Sequence, residues 1–351
     1  MMDRFFSWGN RLHSGETSLP FVPKARLWLS IAAGVLVLSA VLPFFRGGFN
    51  LGIEFTGGSS FAVSNVQDTS AAIGEEAVSE VAPEAEAQLV PTSDTSVRIQ
   101  TRQLSNDQMQ SIADNLVAAY GVATDDVTFT YIGPTFGQDI AERMFTGLVV
   151  FIALAALVLA LYFRTWKMSA AAIGGLFSVM IITVGIYSIT GLNITPAAVI
   201  AFLTVLALSL YDTVVVFDKV RENTQDFQEN TRMKFSELVN LAVNQTTVRS
   251  INTSVVSTLP VAAVLFIGVF VFGAATLMDI ALALFIGQVV AFISSLFVAS
   301  PLYALLRSRE PAVREQEQRV KEARERRGLP DIPPVLFETE EQLKERGALA
   351  G

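Results

Sequence analysis

Six blocks of the chain are apolar for about 20 residues each, the length that crosses roughly 30 Å of hydrocarbon at about 1.5 Å of rise per residue. They cover residues 27–45, 145–163, 169–190, 195–217, 251–272 and 275–306. Because the apolar side chains are gathered into blocks, the pattern predicts an α-helical polytopic membrane protein. The first block reads as a retained span: its lead is long, and Pro43, Phe44, Phe45 and Arg46 offer no small-residue cleavage site.

The segment between the first two blocks changes period. Strand-like alternation at 59–66, 87–90, 96–101 and 127–132 is interleaved with helical periodicity at 69–81 and 106–120. Pro91, Thr92, Ser93 and Asp94 read as the turn between the middle two strands, Ser105 to Asp107 as a helix start and Gly121 as its stop. The order is βαββαβ, a split-βαβ sandwich. The chain therefore divides into a lead (1–26), a first span (27–45), a small domain (46–142), a five-span bundle (143–306) with a polar loop at 218–249, and a charged tail (307–351).

Charge orients these parts. Arg4, Arg11, Lys24 and Arg26 precede the first span, Arg164 and Lys167 fill a short turn, Lys219, Arg221, Arg232, Lys234 and Arg249 lie in the polar loop, and the tail is rich in arginine. Basic loops stay on the cytoplasmic side, so both termini are expected there. Residues 46–142 carry 3 basic and 14 acidic side chains, a net of −11, which leaves +3 for the rest of a chain whose total is −8. That segregation fits a domain outside the membrane.

With no cysteine and one histidine, His13, the sequence excludes a disulfide scaffold, a zinc finger and histidine-based chemistry. His13 reads as a solvated side chain. The acidic balance argues against nucleic-acid binding, and no Gly-x-x-x-x-Gly-Lys-Ser/Thr is present to hold a nucleotide. No cofactor, metal or catalytic residue is expected.

Ionisable groups in hydrocarbon are costly, and each is a candidate functional residue. Asp212 lies in the inner half of the fourth span. Arg249, at the start of the fifth, is at a depth from which its side chain reaches toward Asp212, and Asn252, Thr253 and Gln288 supply a polar lining nearby. Two readings stand open: a proton relay in which Asp212 alternates between proton and arginine, or a fixed ion pair. Asp279, at the outer end of the sixth span, reads as an interfacial residue or an entry-side acid. Gly52, Gly57 and Gly58 read as a structural motif that permits a tight turn where the first span meets the small domain. Gly147, Gly174, Gly175 and Gly185 read as close helix contacts, and Pro260 as a kink. The amphipathic stretch 233–245 is expected on the membrane surface or across the bundle mouth. The tail is expected to form a solvated helix at 309–327 with internal charge pairs, and a second short one at 338–346.

These features resemble the SecD/SecF family of protein-export membrane proteins, in the RND superfamily. The resemblance rests on Leu51 through Gly58, on Asp212-Thr213-Val214-Val215-Val216-Phe217-Asp218-Lys219-Val220-Arg221-Glu222-Asn223, and on Arg249 through Ser254. Glu54 stands where the first motif commonly has aspartate, and Ala207 through Tyr211 depart from the family's Gly-Tyr-Ser-Ile-Asn. The resemblance implies a six-span RND-type bundle with a ferredoxin-like outer domain. It also implies a proton-coupled role for Asp212 and Arg249 and a place in the cytoplasmic membrane. Its implied partners are SecD, the SecYEG channel, a translocating preprotein, the lipid bilayer and, as a further candidate, YajC. Rival readings are an RND-type exporter of a small molecule or lipid and a passive scaffold. An intramembrane aspartyl protease is disfavoured, because Asp212 and Asp279 sit toward opposite faces, on the order of 20 Å apart by helix rise.

Overall fold

The computed structural model describes residues 2–15, 17–45, 49–163, 165–269, 275–328 and 331. The chain forms α1 (Met2–Ser14), α2 (Ala25–Phe45), α3 (Ile53–Thr56), β1 (Gly58–Ser64), α4 (Ala71–Ser79), β2 (Gln88–Ser93), β3 (Ser96–Thr101), α5 (Asn106–Tyr120) and β4 (Val127–Ile132). It continues through α6 (Pro134–Phe163), α7 (Trp166–Ile189), α8 (Pro196–Asn223), α9 (Phe235–Ala263), α10 (Ala275–Ser294), α11 (Ser300–Arg307) and α12 (Pro311–Arg326). Among the described residues six helical units are long and apolar enough to cross a membrane: α2, α6, α7, α8, α9 with the π-helical turn after it, and α10 running into α11. The helix expected at 338–346 lies outside the described residues.

The small domain is one antiparallel sheet in the order β2-β3-β1-β4, the ferredoxin-like arrangement, with α4 and α5 over one face. Phe61, Val63, Val97, Ile99, Ile112 and Leu116 are buried between the layers. Ser105 caps α5 in a reciprocal box with Gln108, and Gly121 ends it at φ 64°. The expected turn at 91–94 is shorter than the pattern suggested, because Pro91 through Ser93 continue β2 past an irregularity in its pairing. An edge strand tolerates a proline that donates no hydrogen bond.

The stretch at 233–245 is not a separate surface helix. It forms the first turns of α9 and runs directly into the fifth span, so the loop expected at 218–249 shrinks to the residues between α8 and α9. Thr246 and Thr247 within it donate back to the carbonyls of Ala242 and Val243, at 3.0 and 2.7 Å, which satisfies their hydroxyls inside the helix. Pro260 removes a backbone donor inside the span, and the π-helical turn Val264–Val269 follows.

The lead and tail are both docked on α9. The Asn244 side-chain oxygen accepts from the Leu19 amide (2.7 Å) and that of Asn240 from the Val22 amide (3.0 Å). Gly9 approaches so closely that a Cβ there would meet Val248 at 3.0 Å. His13 is exposed. The tail helix α12 is not simply solvated: Val313, Gln316, Val320 and Arg324 are buried. Its internal pairs, Lys321–Glu325 and Arg326–Glu322, are long at 3.9 Å, whereas Arg324 reaches across to Glu237 of α9 at 2.6 Å.

Close helix contacts occur at three of the four expected glycines. A Cβ on Gly174 would lie 3.0 Å from Leu302, one on Gly175 3.1 Å from Ala299, and one on Gly185 would overlap Ser39 of α2. Gly147 faces open space, so it is no contact within this chain. Gly287, which the pattern did not single out, packs α10 on α8, with a Cβ there only 2.5 Å from Val205.

Gln316 is fully buried, accepts from the Phe235 amide and donates to the carbonyls of Asn230 and Met233. Gln316→Leu orphans these groups at about 1–3 kcal/mol for each that stays buried, and should abolish hydrogen-exchange protection at the start of α9. Burial pushes the Glu310 carboxyl up, but Arg307 and Lys167 outweigh it and hold it below its ordinary value. Lys234 and then Arg324 likewise hold Asp331 down. Carboxylates depressed in the folded state stabilise it above their unfolded values, and that stability is lost as pH falls through the folded ones. Exchange protection across α12 should therefore fall below about pH 4, and Glu310→Gln should blunt that dependence.

Candidate functional site

Asp212 sits on α8 where α9 and the end of α10 close on it. Its Oδ1 accepts from Ser250 of α9 at 2.9 Å, and its Oδ2 from Ser295 at 2.5 Å. Ser295 opens the π-helical turn Ser295–Ala299 between α10 and α11. That turn separates two neighbouring serines by function: Ser294 bonds Ser178 and the Gly175 carbonyl of α7, while Ser295 serves Asp212. Widened turns of this kind recur at functional sites because they redirect side chains without ending the helix.

The Ser295 hydroxyl also lies 3.0 Å from the Phe292 carbonyl. It has one proton and two possible acceptors. With Asp212 ionised, Ser295 donates to the carboxylate. With Asp212 protonated, the acid can donate to Ser295 Oγ while Ser295 turns its proton to Phe292. The same heavy-atom arrangement thus satisfies both states of the carboxyl, and Ser250 can donate to Oδ1 in either.

The expected partner of Asp212 is elsewhere. Arg249 is exposed on α9 and makes no ion pair with Asp212. Ser250, one residue on, takes the face of α9 turned to α8, and successive residues are about 100° apart around a helix. Asn252 and Thr253 are exposed with Arg249, so they do not line the Asp212 site. Gln288 is buried on α10 about two turns from Ser295, and its side-chain oxygen has no partner among the described residues. The structure therefore replaces the expected Asp212–Arg249 pair with a carboxylate held by two serines. An adjacent serine pair inside an apolar block was the sequence signal for Ser295.

Asp279 is a second carboxylate, buried where Asp212 is half-buried, far from it in chain position and with its own partners. Arg98 of β3 meets it at 3.2 Å and Thr195, which caps α8, at 3.3 Å. The glycine motif lies on the same side of the bundle. Gly57 and Gly58 have φ of 75° and 144°, and a Cβ would lie 2.8 Å from Pro134 at the first and 2.5 Å from the Thr101 carbonyl at the second. Side chains are excluded there by both conformation and space. Among the described residues no cluster of histidine, aspartate and glutamate could hold a metal.

The sequence pattern of the family described as protein export membrane protein SecD/SecF, C-terminal, matches residues 112–309, and that of the SecD/SecF GG motif matches residues 44–64. The chain belongs to the SecD/SecF family. It is 38% identical over 320 residues to the protein translocase subunit SecF of Streptomyces coelicolor, covering 91% of this chain and 85% of that one. It is 30% identical to the protein translocase subunit SecDF of Thermus thermophilus, over 80% of this chain and 38% of that longer one. The crystal structure of SecDF, a translocon-associated membrane protein from the same organism, superposes with a TM-score of 0.75 at 26% identity, over 84% of this chain and 39% of that chain. The fold is thus the six-span bundle with a ferredoxin-like domain, and the SecD/SecF chain is a multi-pass membrane protein.

Removing the Ser295 hydroxyl takes away the donor to Oδ2. The carboxyl infrared band that disappears in Asp212→Asn should shift in Ser295→Ala and return toward its original position in Ser295→Thr, measured on the purified chain in lipid.

Proposed function

We propose that this chain is an accessory subunit of the Sec protein translocase that, with a SecD-type partner, uses the proton gradient to promote preprotein export. The observation that carries the proposal is the Asp212 site. A carboxyl group placed among three packed helices, with hydroxyls arranged to serve both its protonated and ionised forms, can gain and lose a proton without leaving a buried polar group unpaired. Each exchange alters the pull between α8 and the two helices that face it.

Arg249, Asn252 and Thr253 complete the reading in a different way from a local lining. They share one exposed face of α9, and a charged, polar face at membrane depth calls for a protein partner. A SecD-type bundle is the natural occupant, since the Thermus thermophilus relative named SecDF is more than twice the matched length. In this reading the sheet domain lies outside the cytoplasmic membrane, where it meets the emerging preprotein near the SecYEG channel with YajC as a further neighbour. Both termini lie inside, following the basic loops. The subunit does no covalent chemistry: Asp212 and Asp279 each have separate partners and form no shared dyad.

Export of a preprotein by cells depleted of the native subunit tests this directly. Asp212→Asn should assemble normally yet lose the gradient-dependent part of export. A variant that assembles and exports like the parent would make the half-buried carboxylate structural and favour the scaffold.

A further inference from the structure

At the basic end of the bundle, where α6 gives way to α7 and both α8 and α11 finish, the helices leave a cavity of about 230 Å³. Phe163, Met168 and Tyr303 form its buried floor, and two arginines, Arg221 and Arg307, supply its charge. Among the described residues no carboxylate lines it. Arg307 is held in place by rings: its guanidinium lies 4.8 Å from the centre of Phe235, 5.2 Å from Phe227 and 6.0 Å from Tyr303. Its Nε and Nη2 donate to Glu310 and its Nη1 to the Tyr303 hydroxyl, which leaves part of its five-donor fork for another acceptor. Glu310 does not belong to Arg307 alone, because Lys167 shares it at 3.0 Å. Arg221 is exposed and pairs with no carboxylate among the described residues: Asp218 accepts from Tyr162 at 2.6 Å, and Glu222 pairs with Lys219 at 2.6 Å.

The surroundings of the cavity select the kind of anion that suits it. Thr165, also on its wall, opens α7 without a side-chain cap, so the positive end of a 24-residue helix adds to the field of the arginines. Tyr162 at the end of α6 and Trp166 at the start of α7 are exposed, and amphipathic rings of this kind settle at the level of lipid headgroups. Deeper along the same two helices, Ile152 and Ala155 of α6 and Ile173 and Phe177 of α7 line an apolar groove. Ile152, Ala155, Leu159 and Phe163 follow the spacing of one helix face, so groove and cavity lie along a single line on α6. From Ala155 to Phe163 the rise is about 12 Å, within the roughly 15 Å of hydrocarbon in one leaflet. A cationic recess at headgroup depth, continued by an apolar groove, matches a molecule that is anionic at one end and apolar at the other. A soluble phosphate would use only the first half.

We propose that this recess binds the phosphodiester headgroup of an anionic membrane lipid of the phosphatidylglycerol class, with an acyl chain laid in the groove between α6 and α7. Arg307, fixed by its aromatic neighbours, sets where the phosphate sits, and Arg221 supplies a second guanidinium from α8. The bound lipid joins the end of α8 to α7 and α11. The site is separate from Asp212 and does not depend on the export role.

The full-length chain in phosphatidylcholine vesicles is sufficient for a test. It has three tryptophans, so Trp8→Phe with Trp28→Phe leaves Trp166, beside the cavity, as the only reporter. Brominated phosphatidylglycerol should quench Trp166 at a mole fraction about tenfold lower than brominated phosphatidylcholine does. Arg221→Gln should remove most of that preference and Arg221→Lys should keep part of it. Arg26→Gln, which removes an exposed cation at the start of α2, should leave the preference intact and so separates the site from general attraction to a charged surface. Glycerophosphoglycerol, the same headgroup without chains, and inorganic phosphate should not relieve the quenching at millimolar concentration. Relief by either would assign the cavity to a soluble anion and overturn the proposal. Equal quenching by the two lipids, or a preference that survives Arg221→Gln, would overturn it as well. If the double phenylalanine variant is poorly folded, native mass spectrometry of the parent and of Arg221→Gln decides the matter: phosphatidylglycerol retained by the parent and lost from the variant supports the site, and equal retention refutes it.

Discussion

Hydrocarbon offers no water to a polar group, and that scarcity organises this protein. Every helix that crosses the apolar layer must close its own backbone hydrogen bonds, and every polar side chain carried inside must find a partner there or remain a liability of several kcal/mol. Thr246 and Thr247 meet the requirement locally by donating to their own helix. Ser178 and Ser294 meet it across helices, bonding each other and the Gly175 carbonyl. Asp212 and Asp279 cannot meet it locally, so helices and strands distant in sequence are drawn together to serve them.

The two carboxylates are solved by opposite means. Asp212 is surrounded by neutral donors, which tolerate a change of charge because a hydroxyl can reverse its direction without moving its oxygen. Asp279 is matched to a guanidinium, which cannot lose its proton, so the contact favours the ionised carboxylate. The first arrangement suits exchange in a fixed framework, and the second joins a strand of the sheet to the bundle. At Gly57 and Gly58 the backbone passes too close to Pro134 and Thr101 for any side chain, which brings α3, the sheet and α6 to a single point.

Much of this was legible before any coordinates. The six apolar blocks became the six membrane-length helices, and the period-two stretches became a sheet whose pairing order is the ferredoxin-like one. The candidate carboxylates were also visible, because an isolated aspartate in an apolar run is conspicuous. Their partners were not. Arg249 seemed the natural mate for Asp212 because both lie at similar depth, yet depth leaves rotation about the helix axis undetermined, and Ser250 occupies the inward position. Helix α9 was misjudged for a related reason: amphipathic periodicity marks a face but not where the helix ends, and no residue between Gln245 and Ile251 stops it.

The sequence by itself determined the number of membrane-length blocks, the segregation of charge along the chain, the class of the small domain and the identity of the two carboxylates set within the bundle. All of these depend on composition along the chain, which local hydrophobicity and periodicity report directly. Tertiary structure alone decided that two serines hold Asp212, that Arg98 crosses from a strand to Asp279, and that the tail caps α9 through Gln316 and Arg324. Those pairings join residues 38 to 181 positions apart, and they depend on helix rotation and packing distance. Both quantities are set by how all the elements fit together, and no single segment carries either of them.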